Sequence, residues 1–547
     1  MTNKRNQGGP ATTHAGFPLP EPKRGLPKKT TSVCPTCRRL IPAEVIERDG
    51  KAWMIKTCPD HGRFEDIVYA DVDVYRRVES FRFGDGKGVA NPVEKNPGPC
   101  PTACGLCARH GSHTALANID LTNRCNLNCP VCFANANAAG YLYEPDFEQV
   151  RGMLQRFRDL EPVPCPCIQF AGGEPTLHPR FFEIVALARD LGFSAIQVAT
   201  NGLKFAEPGF AERCREAGLN SVYFQFDALD DGTYRKLRGR PLLETKMKAF
   251  EAIRRAGGMN VILVPTILKG ENDHEIGPLT RFAVENVDLV TGVSFQPVVI
   301  TGRISRERRL AIRFTLTDLA KEVERQTGFA RADGWEPLSV LVPLSRLGSA
   351  IRGEEMVAYT AHHHCSMATY LFVDDEGTPV QINEFIDVEN LLRDMDRIAS
   401  DLESSRFKFL TKSLSKLKVL RSLEKNFHAE RAPKGLDFQR FLQAVEELMG
   451  SKRDRKPGRE YAFRTLMVGA MHFMDSYNFD VERVQRCIVH YGAPDGRIYP
   501  FCAYNSGPTY REKIERAFAH SPESVQRIAE EEGFPKELRR LVESRST

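Results

Sequence analysis

Nine of the 15 cysteines in this 547-residue chain fall before residue 133, in three groups of three. Cys34, Cys37 and Cys58 form the first group, Cys100, Cys104 and Cys107 the second, and Cys125, Cys129 and Cys132 the third. An odd cysteine total in a large chain argues against a disulfide scaffold, and thiols spaced this closely suit metal instead. Residues 1–31 are polar and rich in Pro, Gly and Lys, with no apolar run of the kind found in a secretory signal. No stretch approaches the ~20 uninterrupted apolar residues that a helix needs to cross a bilayer. The expectation is a cytoplasmic, reduced protein with several metal sites. A net charge of +5 over this length, with no concentrated basic face, leaves no footprint for nucleic acid.

The length predicts more than one folding unit. Residues 1–30 read as a disordered N-terminus, because they are low in hydrophobicity and high in Pro and Lys. Residues 31–95 read as a small Cys-rich metal-binding module, with two short strands joined by an Asp49-Gly50 hairpin turn. Within residues 96–310, strand-like runs at 115–121, 167–171, 195–199, 221–226, 261–268 and 293–299 alternate with helix-like segments. That rhythm implies a parallel α/β sheet, and six units with no visible seventh or eighth suggest a partial (β/α)6 TIM-like barrel. Residues 311–515 form a C-terminal domain with a hairpin around Asp375, and residues 516–547 a charged helical tail.

The third group carries the strongest chemical signal. Cys125, Cys129 and Cys132 have the spacing Cys-x3-Cys-x2-Cys and directly follow the first strand of the barrel-like region. Three thiolates so spaced can hold three corners of a 4Fe–4S cluster. No fourth Cys follows until Cys165, which leaves one iron open to a non-protein ligand. This segment resembles the radical S-adenosylmethionine (SAM) superfamily, although Val131 stands where that superfamily usually has an aromatic residue and Phe133 follows instead. Gly172, Gly173, Glu174 and Pro175 look like its GGEP loop, and the resemblance implies that the loop backbone and Glu174 bind the SAM amino group. Polar residues at the ends of later strands fall where a barrel keeps its active site: Thr200, Asn201, Gln225, Asp227, Asn272 and Gln296. For Asn201, Asp227 and Asn272 the competing reading is simple loop capping.

The second group repeats the same spacing without a partner loop and reads as an auxiliary-cluster site. Cys34, Cys37, Cys58 and His61 have knuckle spacing for tetrahedral Zn or a mononuclear Fe. His61 is the weakest ligand of the set and could instead cap a turn. Late strings containing His362–Cys365, Arg486–His490 and Arg497–Asn505, taken with the N-terminal Cys groups, are similar to the tetraether lipid synthase family of radical SAM proteins. That resemblance implies a 4Fe–4S cluster cleaving SAM, one or more auxiliary 4Fe–4S clusters, and Cys365, Cys487 and Cys502 as their ligands. Cys165, Cys167 and Cys214 are left as ordinary core or loop thiols.

The implied reaction joins the ends of two lipid hydrocarbon chains by a C–C bond through a 5′-deoxyadenosyl radical, with ferredoxin or flavodoxin as electron donor. Members of the family are also linked to pterin methylation, which makes a radical SAM methylase of a pterin-like heterocycle the alternative. A non-enzymatic iron–sulfur electron carrier is the rival from another class. For a lipid substrate, Phe409, Leu410, Leu414 and Leu417, flanked by lysines, offer a basic amphipathic helix for peripheral contact at the membrane surface. The same stripe could instead pack on the core of a solvated helix.

Overall fold

The computed structural model describes residues 22–449 except 82, 84–87, 302–306 and 407, together with residues 463–507 and 510–531. Four antiparallel strands come first: β1 (Lys28–Val33), β2 (Leu40–Arg48), β3 (Lys51–Cys58) and β4 (Gly62–Tyr69), paired in chain order. Asp49 and Gly50, at φ of 53° and 69°, make the tight turn between β2 and β3. Both turn residues are left-handed, which matches the twist of a two-residue hairpin. The module thus has four strands, two more than expected, and β1 begins inside the segment read as disordered. Residues 1–21 of that segment lie outside the described residues.

The expected parallel strands are β5 (Leu116–Thr122), β6 (Cys167–Gly172), β7 (Ala195–Thr200), β8 (Ser221–Gln225), β9 (Asn260–Val264), the short β10 (Thr266–Ile267) and β11 (Val290–Pro297). Their side chains alternate in an instructive way. Ile119, Phe170, Val198, Phe224, Leu263 and Phe295 are fully buried in the main core. The residues between them, including Asn118, Gln169, Gln197, Tyr223 and Gln296, face a cavity inside the curved sheet. Period-two alternation therefore places apolar atoms under the helices and polar atoms inside the barrel.

The C-terminal region does not stand apart. It supplies β12 (Glu336–Pro337), β13 (Ser366–Val373), β14 (Pro379–Gln381), β15 (Arg464–Met471), β16 (Val489–Gly492) and β17 (Ile498–Pro500), all in the same 13-stranded sheet. β15 pairs parallel with β11, and β16 pairs parallel with β5. Each edge of the six-unit arc thus gains one further parallel strand, followed by antiparallel neighbours. Sequence order hid β15 and β16 as members of the parallel arc because each pairs with a partner more than 170 residues away along the chain. The helix Tyr510–Ala517 runs through the boundary placed at residue 515.

Arg313 joins three parts of the molecule. Its Nη2 lies 2.5 Å from Asp66 Oδ2 on β4, and its Nη1 lies 2.7 Å from Asp475 Oδ2 in the C-terminal region. Lys56 on β3 adds a bond to the Ser476 carbonyl at 2.6 Å. Arg313, its two carboxylate partners and Lys56 are all buried. The helix Lys408–Lys425 behaves otherwise: Leu414, Leu417 and Leu420 are 58%, 53% and 45% exposed, so this stripe does not pack on the core. Phe407 is outside the described residues, as are the side chains of Phe409 and Leu410. Among the described residues no helix is long and apolar enough to cross a membrane.

Arg313→Ala leaves Asp475 buried without its guanidinium and Asp66 with that of Arg309 still at 3.1 Å. It is expected to cost about 3–5 kcal/mol of stability, read by chemical denaturation. An unchanged midpoint would mean that the small module and the barrel are not tied through this residue.

Candidate active site and metal centres

The Cys125 loop is held from below by backbone contacts that only glycine permits. Gly172 has φ of 125°, and a Cβ there would meet the Thr122 carbonyl oxygen at 2.3 Å. A Cβ on Gly173 would meet the Arg124 carbonyl oxygen at 2.1 Å. In their absence Gly173 N and Glu174 N donate to those same carbonyls, each at 2.8 Å. The paired glycines therefore dock the end of β6 on the base of the cysteine loop. Asn137 staples the loop from the far side, accepting from Cys125 N at 2.9 Å and donating to the Cys125 carbonyl at 2.7 Å.

Cys125, Cys129 and Cys132 all border one cavity of about 610 Å³. Gly172, Gly173, Thr200, Asn201, Gln225 and Gln296 border it as well, so the structure brings these expected residues together. Asn201 Nδ2 reaches to 3.8 Å from Cys125 Sγ. Gln296 donates to Tyr223 OH at 2.8 Å and to Ser294 Oγ at 3.0 Å.

Four expected residues lie elsewhere. The Glu174 carboxylate accepts from Thr176 Oγ1 at 2.6 Å, Thr200 Oγ1 at 2.8 Å and Asn201 N at 2.8 Å. It is 1% exposed and does not border the cavity, and these bonds tie its own turn to the Thr200–Asn201 loop. Pro175 opens the short turn that follows. Asp227 is fully buried and bidentate with Arg238, at 2.7 Å to both Nε and Nη2. Asn272 caps its own loop, accepting from Leu268 N at 3.0 Å and donating to the Thr266 carbonyl at 2.8 Å.

Several residues that face or support the site went unread in the sequence. Arg238 borders the cavity, braced by Asp227 and by the Val131 carbonyl at 3.0 Å. It comes from the helix Asp231–Arg238, which the strand–helix rhythm did not announce. Burial pushes the Cys129 thiol up, and the Arg238 charge pulls it back toward the thiolate that a metal needs. Lys246 lies beneath the Asn201 and Gln225 loops, donating to both of their carbonyls. Burial lowers it to about 7. Across the cavity floor runs a row of amides: Gln169 donates to Asn118 at 2.7 Å, Gln197 donates to Gln169, and Ser221 donates to Gln197 at 3.0 Å. The readable signal was a glutamine in the middle of an apolar strand, repeated in the runs 167–171 and 195–199. Cys167, left without a role, also borders this cavity.

Cys34, Cys37, Cys58 and His61 place their ligand atoms all within 4.8 Å of one another. Cys37 and Cys58 Sγ are 3.9 Å apart, and His61 Nδ1 is 3.5 Å from Cys58 Sγ. Tetrahedral zinc with Zn–S of about 2.3 Å requires sulfur separations near these values. The His61 hydrogen bond holds the Cys58 thiol below its ordinary value. His61, the doubtful ligand, is thus correctly placed to complete the set. Burial pushes the Cys487 and Cys502 thiols up, with Cys365 near enough to add to both, and the Arg483 guanidinium lies beside Cys365 and Cys502. Burial likewise pushes Cys100 and Cys104 up, with Cys107 near enough to add to both. Cys104 and Cys502 share one apolar cluster, against which Cys100, Cys487 and Phe133 pack.

A cysteine triad, a two-glycine loop and a row of strand-end polar groups around one cavity in a parallel barrel define a radical SAM enzyme. The Radical SAM superfamily model matches residues 119–283, and the model of the HMPTM N-terminal zinc ribbon domain matches residues 26–70. A 4Fe–4S cluster and SAM are the cofactors this core implies, and the first cysteine group fits a metal site. The chain is 41% identical over 507 residues to the 7,8-dihydro-6-hydroxymethylpterin dimethyltransferase of Methanocaldococcus jannaschii, covering 92% of this chain and 98% of that protein. This chain belongs to the family of that dimethyltransferase. A probable GTP 3′,8-cyclase of Methanothermobacter thermautotrophicus is 30% identical over 179 residues, covering 32% of this chain and 56% of that protein. Among solved structures, native anSMEcpe with bound AdoMet is 14% identical with a TM-score of 0.32, covering 57% of this chain and 97% of that one. The match to the dimethyltransferase overturns the lipid C–C synthase reading, and with it the lipid substrate.

Glu174→Gln puts an amide N–H against donors that the carboxylate now accepts. It is expected to destabilise the cofactor-free protein by about 1–3 kcal/mol in thermal unfolding. A carboxylate that served only a ligand would leave that stability unchanged. Separately, Cys58→Ser is expected to abolish binding of the single zinc measured by metal analysis, while leaving the iron content of the reconstituted protein intact.

Proposed function

We propose that this chain is a radical SAM methyltransferase of a pterin, acting on a substrate of the 7,8-dihydro-6-hydroxymethylpterin class. The observation that carries the reading is the cavity interior. Its floor is a row of amides from Asn118, Gln169 and Gln197, and one wall is aromatic. Phe473 stacks on Phe501 with centroids 3.9 Å apart, and Phe133 stacks on Phe501 at 5.7 Å. Flat rings and amide dipoles complement a planar heterocycle with many donors and acceptors. The amides bond to one another along the row, and a hydrocarbon chain would leave Asn118 Nδ2 still without a partner, at a cost of ~1–3 kcal/mol. The full-length similarity to a pterin dimethyltransferase supports the same conclusion.

In this reading Cys125, Cys129 and Cys132 hold the cluster, while the Gly172-Gly173 backbone, Thr200, Asn201, Gln225, Gln296 and Arg238 hold SAM. When bound, these groups supply one-electron cleavage of a C–S bond and abstraction of an unactivated hydrogen. The protein positions the reacting atoms and keeps water from them. Asp227 and Lys246 are positioning residues: one fixes the Arg238 fork, the other ties the Asn201 loop to the Gln225 loop. Cys100, Cys104 and Cys107 serve one auxiliary cluster, and Cys365, Cys487 and Cys502 another. Phe501, which precedes Cys502, stacks on Phe133, and both rings border the cavity, which supports a second cluster close to it. Electrons come from a small donor protein such as ferredoxin or flavodoxin.

Anaerobically reconstituted protein, incubated with a reductant, the dihydropterin, SAM as radical source and a one-carbon donor (a second SAM or a reduced one-carbon carrier), is expected to yield product heavier by one or two methyl groups in mass spectrometry. Replacing Cys125, Cys129 and Cys132 together by Ala is expected to abolish that product and the formation of 5′-deoxyadenosine. No methylated pterin from fully reconstituted protein would overturn the proposal.

A further inference from the structure

In the same cavity β5 presents two polar side chains that the hydrogen bonding leaves incomplete. Asn118 and Asp120 lie two residues apart on one strand and therefore on one face. Both border the cavity, and their exposures are 0% and 3%. Asp120 Oδ2 accepts from Arg511 Nη1, while Asp120 Oδ1 has no hydrogen-bond partner. Asn118 Oδ1 accepts from Gln169, while Asn118 Nδ2 has none. One free acceptor and one free donor thus sit side by side in a dry wall. A buried polar atom without a partner is costly enough that native proteins rarely keep one, except where a ligand completes it.

The charge around Asp120 sharpens the picture. Arg511 Nη1 also lies 3.2 Å from Glu515 Oε1, so one guanidinium faces two carboxylates. Its Nε donates to Asn505 at 2.8 Å and its Nη2 to Tyr491 OH at 3.3 Å. Tyr141 OH donates to Glu515 at 3.1 Å. Glu515 is thus satisfied on both oxygens, and the unmet acceptor of the trio is Oδ1 of Asp120, a residue that borders the cavity. Burial pushes Asp120 up despite Arg511, so a group arriving with N–H donors would be welcomed there.

We propose that Asp120 and Asn118 recognise the 2-amino-4-oxopyrimidine edge of the substrate, Asp120 accepting from the 2-amino group and N3–H, and Asn118 donating to O4. The proposal rests on the pterin reading above. The edge runs donor, donor, acceptor, and the wall offers a free acceptor beside a free donor. Arg511 is a positioning residue that fixes the carboxylate so that one oxygen is presented. Guanine carries the same edge, so a guanine nucleotide is the other source of this chemistry.

The test is equilibrium binding to the anaerobically reconstituted protein, with 6-hydroxymethylpterin, its 2-oxo counterpart 6-hydroxymethyllumazine, GTP and SAM as separate probes. The native chain is expected to bind the pterin at least about tenfold more tightly than the lumazine, because the 2-oxo group would face Asp120. Asp120→Asn is expected to weaken pterin binding at least about tenfold and to shrink or reverse the preference over lumazine, with SAM affinity and cluster absorbance unchanged. Equal pterin and lumazine affinities in the native chain would overturn the proposal, and that arm needs no variant to fold. A loss of SAM affinity matching the loss of pterin affinity would overturn it as well, since Asp120 would then serve the cofactor. Tight GTP binding with no pterin binding would overturn the methyltransferase reading but support the edge recognition. Binding of neither would overturn both.

Discussion

The active-site geometry depends on a contact too close for any side chain. Gly172 and Gly173 lay the end of β6 on the Thr122–Arg124 backbone, and that backbone is the root of the Cys125 loop. Glu174, the next residue, then spends its carboxylate on Thr176, Thr200 and the Asn201 amide. One short segment thus fixes the cysteine loop from below and the β7 loop from the side. Buried carboxylate hydrogen bonds of this kind are strong because the surrounding dielectric is low. The glutamate of this loop thus ties three backbone segments together, and the charged residues that border the cavity are Arg238, Asp120 and Arg511.

The second organising interaction is long-range. Arg313 binds Asp66 of the small antiparallel module and Asp475 of the C-terminal region, and Lys56 reaches the Ser476 carbonyl. These bonds bring three stretches of chain, hundreds of residues apart, against one side of the barrel. On the same side β15 and β16 extend the two edges of the parallel arc, and Phe473 and Phe501 close part of its interior. The aromatic wall and the amide floor therefore come from opposite ends of the sequence.

That interior is what separates a heterocycle from a hydrocarbon. The sequence carried a resemblance to lipid-coupling enzymes, and the cysteine groups alone do not distinguish the two chemistries. Cysteines report on cofactors, because thiolates are what iron and zinc bind. Substrate is read by the groups lining the space beside the cofactor, and under the proposed function those are Asn118, Asp120, Gln169 and Gln197. Each sits in an apolar strand run where its facing is set by a pleat of period two. In a flat reading they look like isolated polar interruptions. In the folded barrel they converge.

The sequence by itself determined the elements whose signal is local. Metal-ligand spacing placed Cys34, Cys37, Cys58 and His61 in one group, because four ligands on a hairpin pair need only short-range geometry. Alternation of strand and helix gave the six parallel strands, and Asp49-Gly50 gave the hairpin turn. Tertiary structure alone decided the rest. It turned Asp227 and Asn272 inward as a salt-bridge anchor and a loop cap, brought Arg238 to the cavity from a helix with no distinguishing pattern, and paired Arg511 with Asp120 across 391 positions. The physical reason is that a buried charge is tolerated only beside its partner, and the fold, not the spacing along the chain, chooses that partner.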